Sequence, residues 1–127
     1  MDIQATLATH SPETREFWSA LANNKFLLRG CRSCGQAHWY PRAICPFCAS
    51  PETEWREASG RGVVYSYSIM RRAKQPYAIA FVTLAEGPTM MTNIVDCDFD
   101  GIHIGQEVQV KIQPNHDGMP SPMFTPA

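Results

Sequence analysis

Cys31-Arg32-Ser33-Cys34-Gly35 and Cys45-Pro46-Phe47-Cys48 decide the fold of this chain, and ten residues separate Cys34 from Cys45. Each Cys-x-x-Cys pair can place two thiolates on one side of a tight turn. Two such turns facing each other form a tetrahedral sulfur cage, which suits zinc. Gly35 stands where the backbone after such a pair often needs positive φ. The spacing therefore predicts a metal centre with four ligands, namely Cys31, Cys34, Cys45 and Cys48.

Disulfides or a redox pair are the alternatives for these cysteines. A redox Cys-x-x-Cys normally begins a helix inside a βαβ pattern, and this sequence shows no such pattern. Zinc is the expected metal, and iron is the alternative in the same sulfur geometry. Four thiolates complete a tetrahedron and leave no open position, so the centre is expected to be structural rather than catalytic.

Composition and charge narrow the class of protein. The chain has 127 residues and a formal net charge of −1, which argues against a dedicated nucleic-acid binder because phosphate neutralisation usually needs basic excess. Four cysteines held as thiolates suit a reducing cytoplasm. The first residues show neither the basic nor the apolar region of a secretory signal, and no apolar run is long enough to span a membrane.

The N-terminal segment predicts one helix after a frayed lead-in over residues 1–10. Ser11 is a typical N-cap, Pro12 suits the first helical position, and Glu13 places an acid in the first turn. Phe17 and Trp18 then follow at helical spacing. Two interpretations stay open: the helix covers its own domain, or Phe17 and Trp18 contact a partner protein.

Short strands follow on both sides of the cysteine pairs. Phe26–Gly30 enters the first pair, 37–40 leaves it, and 54–58 forms a third ribbon strand or a bridge. His38 is interpreted as a surface or packing residue, since four cysteines already complete the site. Residues 59–62, Ser-Gly-Arg-Gly, are interpreted as a hinge into a second module.

The second module reads as five strands. Alternating patterns over 63–70 and 108–113, apolar runs over 79–85 and 90–96, and a short segment around Met123-Phe124 predict them. The Gly-Pro turn at 87–88 predicts a hairpin. We expect a mostly β protein with an N-terminal helical segment over 1–25, a rubredoxin-like zinc ribbon over 26–58 and a five-stranded OB-fold barrel over 59–127.

The order of these pieces resembles a known family of OB-fold proteins with an N-terminal rubredoxin-like zinc ribbon. The resemblance rests on Phe17-Trp18, the two cysteine pairs, Tyr40-Pro41-Arg42 before the second pair, and three later motifs. These motifs are Gly60-x-Gly62-x-Val64, Val82-x-Leu84-x-Glu86-Gly87 and Ile104-Gly105-x-x-Val108. Ala49 departs from it, because family members often carry glycine there. Thr125 departs too, where an arginine often precedes the last proline.

The resemblance implies an accessory role in acyl-CoA metabolism. Such proteins accompany thiolase-like enzymes as small subunits of acyltransferases, ketothiolases or retro-aldol enzymes, and the partner carries the nucleophile. On this reading the chain is not an enzyme by itself. Two other functions stay open: a free-standing acyl-CoA-binding protein, and a module that binds single-stranded nucleic acid. A homodimer is a further expectation.

One polar cluster suits a ligand. Arg71, Arg72, Lys74 and Tyr77 fall in the loop after the first barrel strand, which flanks the binding face of OB-folds. Three cations and a tyrosine suit a CoA diphosphate and adenine, or single-stranded nucleic acid. A merely solvated loop is the alternative. Cys97, between Asp96 and Asp98, is interpreted as a packed residue, because neighbouring carboxylates raise a thiol pKa.

Overall fold

The computed structural model describes residues 3–7 and 9–127, which are mostly β-structure. Two helices come first, α1 (Ile3–Leu7) and α2 (Pro12–Ala22). A three-stranded group follows, with β1 (Leu27–Cys31), β2 (Ala37–His38) and β3 (Thr53–Glu57). Five barrel strands complete the chain: β4 (Arg61–Met70), β5 (Tyr77–Leu84), β6 (Thr89–Ile94), β7 (Glu107–Pro114) and β8 (Pro120–Pro126), with a short 3-10 helix at Phe99–Gly101.

The chain divides into two compact units. The first comprises residues up to Ser59 together with Ile112–Ser121, and the second comprises Gly60–Lys111 together with Pro122–Ala127. The domain limits expected from the sequence, at 25 and 58, remain a prediction. Within the described residues, no helix has the length and apolar character to cross a membrane.

The helix predicted after Ser11 is confirmed. Ser11 has extended backbone, Pro12 stands in the first turn, and Asn23 ends the helix by donating its N–H to backbone oxygens of the last turn. Phe17 and Leu21 are buried on one face, as their spacing requires. The lead-in, however, was expected to be frayed, and this is wrong for Ile3–Leu7, which form α1. Burial of Leu7 stabilises α1, and no capping residue in the sequence predicts this helix.

The cysteine-bearing ribbon is an antiparallel sheet with the order β2-β1-β3. Arg29 pairs with His38 on one side and with Trp55 on the other. The third strand is therefore a ribbon strand and not a bridge. Because β1 ends at Cys31 and β3 begins at Thr53, the central strand runs directly into the first cysteine pair.

The second module is a closed barrel with the order β4-β5-β6-β8-β7, as predicted for an OB-fold. β5 and β6 form the expected hairpin, and β6 pairs in parallel with β8 at Ile94 and Phe124. The last strand is longer than the short segment expected around Met123-Phe124. Alternate residues of β5 fill the barrel, and its core side chains are Val64, Ala78, Ala80, Val82, Leu84, Met90, Ile94, Ile102, Val108 and Phe124.

The predicted Gly60–Gly62 hinge is only partly correct, because β4 already begins at Arg61. Gly60 has φ of +80°, a conformation that favours glycine. Gly62 is a buried strand residue, and a Cβ there would lie 2.5 Å from Val82 Cγ1. Gly62 thus permits close packing between neighbouring strands rather than flexibility.

Candidate metal centre

The two cysteine pairs form turns with the same backbone hydrogen bonds. Cys31 accepts from the N–H of Gly35 and donates to the carbonyl of Gln36, at 2.9 and 3.0 Å. Cys45 accepts from the N–H of Ala49 and donates to the carbonyl of Ser50, both at 2.9 Å. Each turn therefore holds its two sulfurs on one side, as the spacing predicted.

Positive φ occurs at the same place in both turns. Gly35 has φ of +80° and Ala49 has φ of +63°. The second turn thus has the same backbone conformation as the first even though alanine, not glycine, stands there. An L-residue in this region costs on the order of 1–2 kcal/mol.

The four sulfur atoms of Cys31, Cys34, Cys45 and Cys48 lie within 4.8 Å of one another. The Sγ atoms of Cys31 and Cys48 are 3.6 Å apart, and those of Cys34 and Cys45 are 3.7 Å apart. A tetrahedral zinc site with Zn–S bonds of about 2.3 Å has sulfur–sulfur edges of about 3.8 Å. None of these cysteines is in a disulfide. The four sulfur atoms and the distances between them fit a metal ion bound by four cysteines.

Electrostatics also favour a cation here. The N–H of Cys34 donates to the Cys31 sulfur at 3.4 Å and, with the N–H of Ser33, lowers the pKa of Cys31 to about 6. The N–H of Ser50 acts in the same direction on Cys48, but burial and the neighbouring sulfurs outweigh it and raise the pKa of Cys48 to about 12. The sulfurs thus compete for one negative charge, and a bound cation would stabilise all four thiolates.

Several contacts hold the segment of chain that leads into the second cysteine turn. The Glu13 carboxylate accepts the N–H of Ala43 at 2.9 Å and pairs with Arg42, and the first of these contacts is the larger cause of the lowered pKa of Glu13. Thr53 Oγ1 donates to the Ala43 carbonyl at 2.6 Å. His38 is buried and is a packing residue, with Nε2 3.3 Å from the Arg42 carbonyl. No local pattern predicts the Glu13 and Thr53 contacts, because they join residues distant along the chain.

The two cysteine turns have the same pattern of solvent exposure. In each turn the first cysteine, Cys31 or Cys45, is buried, and the second, Cys34 or Cys48, is exposed. The Ser33 and Ser50 hydroxyls lie 2.8 Å apart and link the two turns on the exposed side.

Two family models match adjacent parts of the chain. Residues 18–54 match the rubredoxin-like zinc ribbon domain of ChsH2, and residues 55–113 match the C-terminal OB-fold domain of ChsH2. Two archaeal DUF35 domain-containing scaffold proteins, from Methanocaldococcus jannaschii and Methanothermobacter thermautotrophicus, are each 38% identical to this chain. These matches cover 62% and 77% of this chain, and 61% and 80% of those proteins.

The chain belongs to the DUF35 family. The predicted resemblance to proteins that join a zinc ribbon to an OB-fold is thereby confirmed.

Two further relatives carry enzyme names. A probable enoyl-CoA hydratase alpha subunit of Thermomonospora curvata is 32% identical, and the match covers 87% of this chain but 37% of that protein. The benzoylsuccinyl-CoA thiolase subunit BbsA of Geobacter metallireducens is 31% identical, and the match covers 71% of this chain and 65% of that protein. Among solved structures, the Ltp2-ChsH2(DUF35) aldolase superposes with a TM-score of 0.79 at 28% identity, covering 93% of this chain and 97% of that chain.

The aromatic pair of α2 lies within the first unit of this DUF35 chain. Phe17 is fully buried, with its ring edge-on to Trp39 at 5.2 Å between centroids. Trp18 is half-buried, stacks on His10 and donates its indole N–H to the Tyr40 hydroxyl at 3.1 Å. Phe17 thus packs within its own domain, as the first of the two interpretations of the helix expects. A partner contact by these two residues remains untested.

The basic loop has its cations on the surface. Arg71 forms an ion pair with Asp100 at 2.7 Å, so its charge is partly neutralised. Arg72 and Lys74 are exposed and form no ion pair within the described part of the chain. Tyr77 begins β5 with its ring exposed. The structure brings these four residues to one end of the barrel, and their role as ligand contacts remains a prediction.

Cys97, the fifth cysteine, stands apart from the metal centre. Burial, followed by the charges of Asp98 and Asp96, raises the pKa of its thiol. The direction is the one expected from its sequence neighbours, although partial burial is the larger cause. Cys97 is therefore a poor nucleophile near neutral pH.

Proposed function

We propose that this chain is a non-catalytic accessory subunit of a thiolase-like acyl-CoA enzyme. The finding that carries the proposal is the family itself, because relatives include a thiolase subunit, a hydratase alpha subunit and a chain of an aldolase complex. These names differ in chemistry yet share acyl-CoA substrates or a subunit role. A common non-catalytic module explains this better than a common active site.

The site chemistry is consistent with that role. Cys31, Cys34, Cys45 and Cys48 would hold zinc, with iron as the alternative, and four sulfur ligands leave no position for substrate. Burial and the charges of Asp98 and Asp96 raise the pKa of the fifth cysteine, Cys97, which makes its thiol a poor nucleophile. We therefore assign the metal a structural role and place the catalytic nucleophile on the partner.

The reaction of the partner is proposed as acyl transfer, ketothiolysis or retro-aldol cleavage. In each case the accessory chain would help to assemble the complex or shape the acyl-CoA site. A tagged copy purified from native extract should recover an acyl-CoA enzyme in fixed ratio by size exclusion and mass spectrometry. Thioester chemistry by the purified chain alone would contradict the non-catalytic assignment.

A second candidate is direct binding of acyl-CoA by the isolated chain. Arg72 and Lys74 offer unpaired cations next to the exposed Tyr77 ring, which suits a phosphate with an adjoining base. Calorimetric titration with CoA should then give heat that Arg72→Ala with Lys74→Ala abolishes. The second unit carries five basic and five acidic residues, which opposes nucleic-acid binding as the main role.

A further inference from the structure

The outer surface formed by β5, β6 and the Ser66–Met70 part of β4 carries no charge. We call it the uncharged face and define it by the outward residues of these three segments. These are Ser66, Ser68 and Met70 on β4, Tyr77, Ile79, Phe81 and Thr83 on β5, and Thr89, Met91 and Asn93 on β6. Charged residues make up 18% of the whole chain, so their absence from this stretch of three adjacent strands sets the surface apart. Arg61 of β4 lies outside it, where β4 pairs with β7.

Apolar side chains dominate the centre of the uncharged face. Phe81 is 45% exposed and Met91 is 61% exposed, and the two are directly paired across β5 and β6. Met70 and Tyr77, each about two-fifths exposed, are paired at the end next to the basic loop. Tyr, Phe and Met are the residues enriched in protein interfaces, whereas charged residues are depleted from interface cores.

A β-bulge adds a further aromatic ring to this surface. Val64 pairs with Val82 and Ser66 pairs with Phe81, so Tyr65 is the extra residue of β4. Its side chain is the most exposed of the aromatic residues, at 68%. Bulges redirect a side chain out of the regular alternation, and this one turns a large ring to the surface beside Phe81.

A shallow pocket of about 280 Å³ lies on the same face, lined by Tyr77, Ile79, Met91, Thr92 and Asn93. Its shallow, open shape suits one anchoring side chain of a partner protein, because ligand pockets usually enclose most of the ligand's surface. Pockets that receive one anchoring side chain are typical of the centres of protein interfaces.

We propose that the uncharged face binds the enzyme subunit of the complex, through a partner surface with an apolar centre and an acidic rim. This inference rests on the proposed function. The acidic rim follows from the loop that borders the face, where Arg72 and Lys74 carry unpaired positive charge. Complementary charge around an apolar centre fixes register and speeds association.

The area of the face favours a larger partner over a second copy. The face extends along the eight residues of β5 and across three strands, so it spans roughly 25 Å by 14 Å, or about 350 Å². A stable interface buries about 800 Å² on each partner. Two copies apposed on this face alone fall short of that area, whereas an enzyme subunit can also cover the basic loop and Tyr65.

The test uses the complex recovered with the tagged chain, with its partner identified by mass spectrometry, purified separately and titrated by fluorescence anisotropy. The double variant Phe81→Ser with Met91→Ser should weaken binding about tenfold or more, because such central apolar contacts dominate interface energies. Ile44→Ser is the matched control, since Ile44 is 51% exposed but lies between β2 and β3, outside the three strands of the face. Circular dichroism should be unchanged in both variants.

Charge reversal tests the rim. Arg72→Glu with Lys74→Glu should slow association and reduce its dependence on salt, and should leave dissociation nearly unchanged. Wild-type affinity in the Phe81→Ser, Met91→Ser variant would overturn the docking face while the accessory role stands. Absence of any complex with the wild-type chain would overturn both. A wild-type dimer that this variant makes monomeric, with partner binding intact, would assign the face to a second copy and also overturn the proposal.

Discussion

Ala49 offers a direct test of the backbone of the metal turns. Its φ of +63° matches the +80° of Gly35 at the equivalent position of the other turn. An L-residue in this region costs on the order of 1–2 kcal/mol, and glycine removes that cost. Glycine also gives the unfolded chain more conformational freedom, which offsets roughly 0.5–1 kcal/mol of this gain in stability. Ala49→Gly should therefore stabilise the metal-loaded protein by about 0.5–1 kcal/mol.

The reverse substitution at the first turn should be destabilising. A Cβ at Gly35 would meet nothing within 4 Å, so Gly35→Ala has a purely conformational cost. We expect that cost to be about 1 kcal/mol, which for a chain of this size lowers the thermal midpoint by roughly 3–5 °C. Because both positions have positive φ, Ala49→Gly should raise the stability and Gly35→Ala should lower it.

Differential scanning calorimetry at fixed zinc concentration measures both variants. Ala43→Gly is the control, because Ala43 is exposed in the same segment of chain and does not have positive φ. The control should lower the midpoint slightly, since glycine adds only unfolded-state freedom. An Ala49→Gly protein no more stable than the Ala43→Gly protein would refute the account of backbone strain.

Three further predictions concern the metal, the barrel and pH. Cys34→Ser should lose bound zinc and unfold the ribbon, whereas Cys97→Ser should retain a full equivalent by atomic emission. Gly62→Ala should lower the free energy of unfolding by about 1–3 kcal/mol in denaturant titrations, because its Cβ would meet Val82. Gly101→Ala has open space around its Cβ and should be neutral or slightly stabilising. Burial lowers the pKa of His38, so its contribution to stability is complete above its unfolded pKa near 6.5 and is lost as pH falls below it. His38→Gln should flatten the fall of the thermal midpoint below pH 6.5, and an unchanged slope would rule out this histidine as the cause.

The local parts of the fold could be read from the sequence. The Cys31–Cys34 and Cys45–Cys48 spacings specify the two turns, and the Ser11-Pro12-Glu13 signal specifies α2, because each depends on residues close along the chain. Alternation and turn residues likewise indicated the five barrel strands. The sequence did not predict α1, since burial of Leu7 and not a local signal supports it, nor the short 3-10 helix at Phe99–Gly101.

The orientation of the tyrosines in β4 could not be read in the same way. A period of two predicts opposite faces for Tyr65 and Ser66, but the bulge between Val64 and Ser66 interrupts that alternation. The contacts of Glu13 with Ala43 and of Trp18 with Tyr40 also depend on tertiary packing. Residues that shape the surroundings of the centre are therefore harder to predict than its ligands.

The unequal burial of the four cysteines sets the order in which a bound metal would be lost. Chelators and oxidants should reach Cys34 and Cys48 first, because these two residues are exposed while Cys31 and Cys45 are buried. Release therefore passes through a half-stripped state in which the metal stays attached to one sulfur of each turn. Since both turns remain tethered to the ion in that state, recapture is intramolecular and fast. The protein should thus withstand brief exposure to a chelator far better than its equilibrium affinity for metal alone would suggest.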